Sequence, residues 1–231
     1  FPYGQVLKEK NNAVAVLEKA AEMSDYRAKR QLYASQPGGR YKKGIGIAAA
    51  LHGGGFTGAG EDKMGTTARV CFDGRRFCLY VSSTEIGQGS STILRMVAAE
   101  ELGVGIEEVL YMTPDTSKSP NTGPTVASRT TMYASKAVRD ACANIKRKLA
   151  EWRPLKGLPE GMPTLSLAAE YFKEYSKLDE FGYNIFDDDS CWDEEKFEGD
   201  AYRGYAWIAN VIEVEVDTDT YEVSAEKVCV A

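Results

Sequence analysis

The sequence predicts an α+β fold, a two-layer mixed β-sheet with packed helices, and three observations carry that expectation. Hairpin signals and helix-length amphipathic segments alternate along the chain, the pattern of a layered domain. The composition, 43% hydrophobic and 27% charged, is that of a globular protein rather than a disordered or coiled-coil chain. The 231 residues are enough to bury a core in one large domain or two small ones. Mean hydropathy is −0.35, and no apolar run approaches the roughly 18 residues of a membrane span.

Residues 5 to 34 read as helix, with Leu7, Val14, Leu17, Ala21, Ala28 and Leu32 as its apolar stripe, and Gln36-Pro37-Gly38-Gly39 ends it. Gly44 to Leu51 suits a buried strand and runs into the Gly-rich loop from Gly53 to Gly60. Strands at 67 to 72 and 77 to 83 form a hairpin on Asp73-Gly74, with Ala68, Val70, Phe72, Phe77, Leu79 and Val81 inside. Thr84-Glu85-Ile86-Gly87-Gln88-Gly89-Ser90-Ser91 then enters an amphipathic helix that stops at Leu102, with Gly103 as its C′ residue. A strand at 109 to 113 and a polar stretch at 114 to 131 precede a long helix at 132 to 152. Its inner face is Ala134, Val138, Ala141, Ile145 and Leu149. The segment from Pro154 to Pro163 links to a helix at 164 to 175, and a last hairpin pairs 205 to 216 with 221 to 230.

The formal charge of −6 is local. Residues 187 to 200 hold eight acids and one Lys, a balance of −7, which leaves the remainder at +1. An acidic chain of this kind is no general nucleic-acid binder, whose affinity comes from cations on phosphates. As a calcium loop starting at Asp187 the acidic run fails, because Cys191 and Trp192 stand at positions five and six, where a ligand and a turn glycine belong. It reads as a solvated loop. The five cysteines show no C-x-x-C spacing and His52 is the single histidine, so no metal site is expected within the chain. Reduced thiols in a cytoplasmic protein are the expectation. A two-residue hairpin loop would set Cys71 and Cys78 opposite Arg76 and Arg69, whereas a four-residue loop would pair them with each other. With no initiator Met and a last strand that stops uncapped, the chain reads as a piece of a longer protein.

Two loops carry the chemistry. Gly87-Gln88-Gly89 with Ser90-Ser91 lies between a strand and a helix N-terminus, where glycines admit a close ligand and the first N–H groups favour an anion. It is neither a phosphate-binding Gly-Lys-Ser/Thr loop nor a G-x-G-x-x-G fingerprint. The second loop, residues 115 to 131, is long, rich in hydroxyls, and also ends at a helix N-terminus. Capping by Ser128, Thr130 or Thr131 is its plain structural explanation.

Together these segments resemble the molybdenum-binding subunit of the xanthine oxidase/aldehyde oxidase family. The resemblance rests on Thr84-Glu85-Ile86-Gly87-Gln88-Gly89, Ala98-Ala99-Glu100-Glu101-Leu102-Gly103, Asp115-Thr116, and Pro120-Asn121-Thr122-Gly123-Pro124-Thr125-Val126-Ala127-Ser128-Arg129-Thr130-Thr131. It is strong over residues 44 to 151 and moderate over 203 to 230. The first 40 residues and the acidic loop match the family poorly. The resemblance implies a fold of the molybdenum cofactor-binding type. Along the chain we expect an N-terminal helical segment (1–40), a cofactor-binding subdomain (41–153), a linker, helix and acidic loop (154–202) and the hairpin of a second subdomain (203–231). The resemblance also implies a molybdenum hydroxylase that oxidises an aldehyde or N-heterocycle with oxygen from water. Its cofactor is molybdopterin with molybdenum, often the cytosine dinucleotide form in bacteria, and electrons leave through 2Fe-2S clusters to FAD on other domains or subunits. Carried over, Gly87, Gln88 and Gly89 would hold the pyranopterin. Ala127, Ser128, Arg129 and Thr130 would offer N–H and hydroxyl contacts to its polar edge and phosphate. The family's catalytic glutamate belongs to a motif downstream of Ala231, so the chain is expected to be inactive alone. Gly53-Gly54-Gly55-Phe56-Thr57-Gly58 is not equated with the family's Gly-Gly-Phe-Gly-Gly motif. The alternative is a diverged, non-catalytic assembly domain of the same fold. A phosphate-binding hydrolase lacks a triad, with His52 alone.

Overall fold

The computed structural model describes residues 1–8, 10–61, 63–184 and 191–231. In chain order the elements are α1 (Ala13–Ser24), α2 (Tyr26–Ala34), β1 (Tyr41–Gly53), β2 (Thr67–Phe72) and β3 (Phe77–Tyr80). There follow α3 (Ser90–Leu102), β4 (Val109–Tyr111), α4 (Ser135–Trp152), α5 (Thr164–Tyr175) and β5 (Leu178–Tyr183). The short strands β6 (Trp192–Asp193) and β7 (Glu198–Gly199) precede β8 (Tyr205–Asp217) and β9 (Val223–Val230). Contacts divide the chain into two units, one of residues 1–53 with 203–231 and one of residues 54–202. This differs from the linear segments expected at 1–40, 41–153, 154–202 and 203–231. The reason is that β1 pairs along its whole length with β8, from Tyr41 opposite Asp217 to Gly53 opposite Tyr205.

The first unit is a three-stranded antiparallel sheet in the order β1-β8-β9, with α1 and α2 on one face. Its core is small: Ala20, Ile45, Ala209, Val211 and Cys229. The expected helix of residues 5 to 34 is two helices, broken at Asp25 in the left-handed region with φ 54°. The expected stripe is also turned. Val14, Leu17 and Leu32 are exposed, and Ala20 and Ser24 face the sheet instead. Small residues let the helix backbone approach closely, and the Ser24 hydroxyl is absorbed by the Ala20 carbonyl at 2.8 Å. Helix α2 is fastened by Lys29 and Tyr33, both bonded to Glu213 of β8.

The second unit carries a four-stranded sheet in the order β4-β3-β2-β5, antiparallel except for β3 beside β4. Alternation along β2, β3 and the residue that follows it sends Ala68, Val70, Phe72, Phe77, Leu79 and Val81 into the core, as the period of two predicts. Leu94, Ala98 and Leu102 of α3 and Val138, Ala141, Ile145 and Leu149 of α4 cover them, giving two layers. The hairpin loop is the four-residue one, so Cys71 stands opposite Cys78. Asp73 explains that length: its Oδ1 accepts the N–H groups of Arg75 at 2.8 Å and Arg76 at 2.7 Å, a side-chain turn that needs the extra residues.

Strand β5 lies within residues read as linker, helix and acidic loop. It pairs with β2, and Arg69 bridges to Asp179 through two bonds of 2.7 and 2.8 Å. Part of the acidic run is a hairpin, Trp192 opposite Gly199. Asp187, Asp188 and Asp189, on which the calcium-loop reading turned, lie outside the described residues. Among the described residues no group of His, Cys, Asp and Glu could hold a metal ion, and no helix is long and apolar enough to cross a membrane.

Candidate cofactor site

Both loops singled out in the sequence belong to the second unit, and the chain ties them together. After β3 ends, Ser82 and Thr122 exchange reciprocal bonds: the Ser82 N–H donates to Thr122 Oγ1 at 2.9 Å, and the Thr122 N–H to Ser82 Oγ at 2.8 Å. Two residues on, the Thr84 N–H donates to Thr125 Oγ1 at 2.8 Å. The buried Thr122 hydroxyl, which also donates to the Thr67 carbonyl at 3.0 Å, thus satisfies two backbone groups where no regular ladder runs.

The first loop does not present an empty anion cradle. The Glu85 carboxylate accepts the N–H groups of Gly87, Gly89 and Ser91 at 2.9, 3.0 and 2.9 Å, and the hydroxyls of Ser90 and Ser91 at 3.2 and 3.0 Å. Gly89 and Ser91 stand at the start of α3, so the protein supplies its own anion to the positive end of the helix. The backbone bonds hold the Glu85 carboxyl down to about 2. Gly87 and Gly89, at φ 101° and 81°, wrap the backbone around it in a conformation that residues with a Cβ rarely adopt. Gln88 is turned into the same loop. Its Oε1 accepts the Ile86 N–H at 2.7 Å, and its Nε2 donates to the Thr84 carbonyl at 2.8 Å and Ser90 Oγ at 3.2 Å. Both amide protons are spent, and one lone pair on Oε1 remains.

The second loop keeps its donors open. Ala127 and Ser128 are consecutive left-handed residues, φ 52° and 54°, a conformation that costs a non-glycine residue about 1–3 kcal/mol. Their N–H groups make none of the bonds that hold the turn. Among the described residues the hydroxyls of Ser128 and Thr130 have no hydrogen-bond partner. Residues Thr130–Ala134 form one π-helical turn that leads directly into α4. Arg129 behaves differently: its side chain is buried, bonded to Glu61, Thr66, Thr122 and Pro124, and turned away from the surface. Only its backbone borders the opening.

The two loops converge on one cleft of about 320 Å³, lined by Ile86, Gln88, Ser90, Ile93 and residues 125–131. Of the residues expected at the site, Gln88, Ala127, Ser128, Arg129 and Thr130 line it, while Gly87 and Gly89 shape the loop beside it. The Gly-rich loop, set aside in the sequence reading, is a neighbour: the Gly55 N–H donates to the Ala127 carbonyl at 2.8 Å. Glu61, at its end, went unrecognised. Its only signal was an acid closing a glycine-rich loop, opposite a polar loop that carries Arg129.

A two-layer α+β unit with polar loops gathered on a cleft of neutral donors is the make-up of a domain that binds a polar organic cofactor. Residues 19–231 match the family model of the molybdopterin cofactor-binding domain, and the chain belongs to that family. It is 30% identical over 193 residues to the nicotinate hydroxylase hnxS of Emericella nidulans, covering 79% of this chain and 14% of that protein. It is 31% identical over 189 residues to a xanthine dehydrogenase of Dictyostelium discoideum, covering 78% of this chain and 13% of the relative. The chain thus spans about a seventh of these relatives' length. Among solved structures it resembles quinoline 2-oxidoreductase from Pseudomonas putida 86 with a TM-score of 0.75 at 18% identity, over 99% of this chain and 32% of that one. It resembles the aldehyde oxidoreductase of Desulfovibrio desulfuricans with a TM-score of 0.68 at 23% identity, over 93% of this chain and 23% of that one.

Proposed function

We propose that this chain supplies the pyranopterin-binding loops of a molybdenum hydroxylase and is inactive alone. The observation that carries the reading is the cleft between Gln88 and residues 127–130, with the unpaired Ser128 and Thr130 hydroxyls and the open N–H groups of the left-handed turn. These donors fit a neutral pterin edge and a phosphate, which hydroxyls and backbone N–H groups bind without a side-chain cation. Gln88 fits as an acceptor, through its remaining Oε1 lone pair. The phosphate is assigned to the second loop, because Glu85 already fills the start of α3. When bound, the molybdenum cofactor supplies two-electron oxidation of an aldehyde or heterocyclic carbon, with water as the source of oxygen. The residues of this chain bind and orient it: Ser128 and Thr130 at its polar edge, Ile86, Ile93 and Val126 as the apolar wall that keeps water from its face. The catalytic base, the 2Fe-2S and FAD centres and the rest of the substrate pocket are assigned to other domains or subunits of a cytoplasmic enzyme. The cofactor is molybdopterin or its cytosine dinucleotide form.

Molybdenum and pterin, measured per polypeptide in the purified parent protein, test this. Ser128→Ala and Thr130→Val each delete a hydroxyl with no internal partner, so stability should change by less than about 0.5 kcal/mol. Cofactor affinity should fall about tenfold for each. A parent protein with no molybdenum or pterin, or variants that retain the cofactor fully, would sink the assignment. The isolated chain should oxidise neither aldehyde nor purine, and turnover by it would contradict its inactivity.

A further inference from the structure

Arg129 and Glu61 form the most enclosed charge pair among the described residues, with side chains 1% and 2% exposed. The Arg129 Nε–H lies 3.0 Å from both Glu61 oxygens, and Nη2 lies 3.0 Å from Oε2. Nη2 also donates to Thr66 Oγ1 at 2.7 Å, while Nη1 donates to the carbonyls of Thr122 at 2.9 Å and Pro124 at 3.2 Å. All three guanidinium nitrogens are therefore engaged, and the buried fork is not presented to a phosphate. The pair also closes the Gly-rich loop, because the Phe56 N–H donates to Glu61 Oε1 at 3.2 Å. One residue before Phe56, the Gly55 N–H holds the Ala127 carbonyl. The strained residues Ala127 and Ser128 are thus gripped on both sides, at the Ala127 carbonyl and at the Arg129 side chain. A strained turn persists only where its surroundings over-determine it.

We propose that Glu61 is a positioning residue for the cofactor cleft: acting through Arg129, it holds the Ala127–Ser128 turn in the conformation that presents its open N–H groups. The inference rests on the reading of the cleft as the cofactor site. Its charge has a second consequence. Glu61 cancels Arg129, so the cleft selects its anion by backbone and hydroxyl geometry and not by a cation.

The test replaces the pair by apolar residues of similar volume, Glu61→Leu with Arg129→Met, which removes both charges together and so leaves no buried ion unpaired. Glu61→Asp, which keeps the charge but shortens its reach by one methylene, is the second variant. In the purified parent protein, amide exchange is measured at Gly55 and at Tyr133, whose N–H donates to the Arg129 carbonyl at 2.8 Å, beside exchange in β2 and α4. Molybdenum and pterin per polypeptide are measured on the same samples. Both variants should speed exchange at Gly55 and Tyr133 by roughly tenfold, leave β2 and α4 unchanged, and lower cofactor retention by roughly tenfold. Wild-type exchange and retention in the double variant would overturn the proposal, since the pair would then be structural ballast. If the double variant does not fold, Glu61→Asp decides alone on the same readouts. If the wild-type protein holds no molybdopterin, the cofactor reading fails, while exchange at Gly55 and Tyr133 still judges whether Glu61 sets the turn.

Discussion

Glu85 shows how one carboxylate can change the meaning of a glycine loop. The sequence around it has the ingredients of an anion site, yet its carboxylate takes the N–H groups of Gly87, Gly89 and Ser91 that an anion would use. Because its folded pKa lies near 2, below the ordinary 4.5, the order it gives the loop is complete above the unfolded value. That order is lost as pH falls through the folded value. We expect the Glu85 side-chain carbon signal to titrate near 2, with exchange of the Gly89 and Ser91 amides rising over the same range. A midpoint near 4.5 would contradict the capping role. Arg129 teaches the converse lesson: a cation in a polar loop looks like a phosphate ligand, but its guanidinium points inward to Glu61.

At the level of elements, helices were the more legible part. The stripe on α4 fell into the core because its partners are the apolar rows of β2 and β3. The stripe on α1 misled, because that helix packs through Ala20 and Ser24, and small residues leave no hydrophobic signal. Strand β5 was invisible for a related reason. Leu-Asp-Glu-Phe-Gly-Tyr alternates weakly, and its two acids are neutralised by residues far off in sequence, Asp179 by Arg69 and Glu180 by Lys148. Its glycine has a steric purpose: a Cβ on Gly182 would lie 2.1 Å from the Ala141 nitrogen and 2.2 Å from the Ala137 carbonyl oxygen of α4. Gly182→Ala should therefore destabilise the second unit by about 3 kcal/mol or more in denaturant unfolding. Gly161→Ala, where a Cβ meets nothing, should be nearly neutral. Equal effects of the two would refute the close approach of β5 to α4.

For the whole molecule, the family and the two loops that border the cleft were legible from short motifs, but the division into units was not. Residues 1–53 join 203–231 through a strand pairing that no local pattern announces, since both partners read only as strands. The second unit, continuous from residue 54 to 202, should fold when expressed alone and keep the ordered Ser82–Thr122 pairing, as amide exchange can show. An unfolded 54–202 chain would deny it that autonomy. The central claim is that the cleft between residues 86–90 and 125–131 holds the molybdenum cofactor. It is tested most directly by comparing amide exchange in cofactor-loaded and cofactor-free parent protein. Protection within this chain concentrated at residues 86–90 and 125–131 is the result expected, and unchanged exchange there in a loaded protein would contradict it.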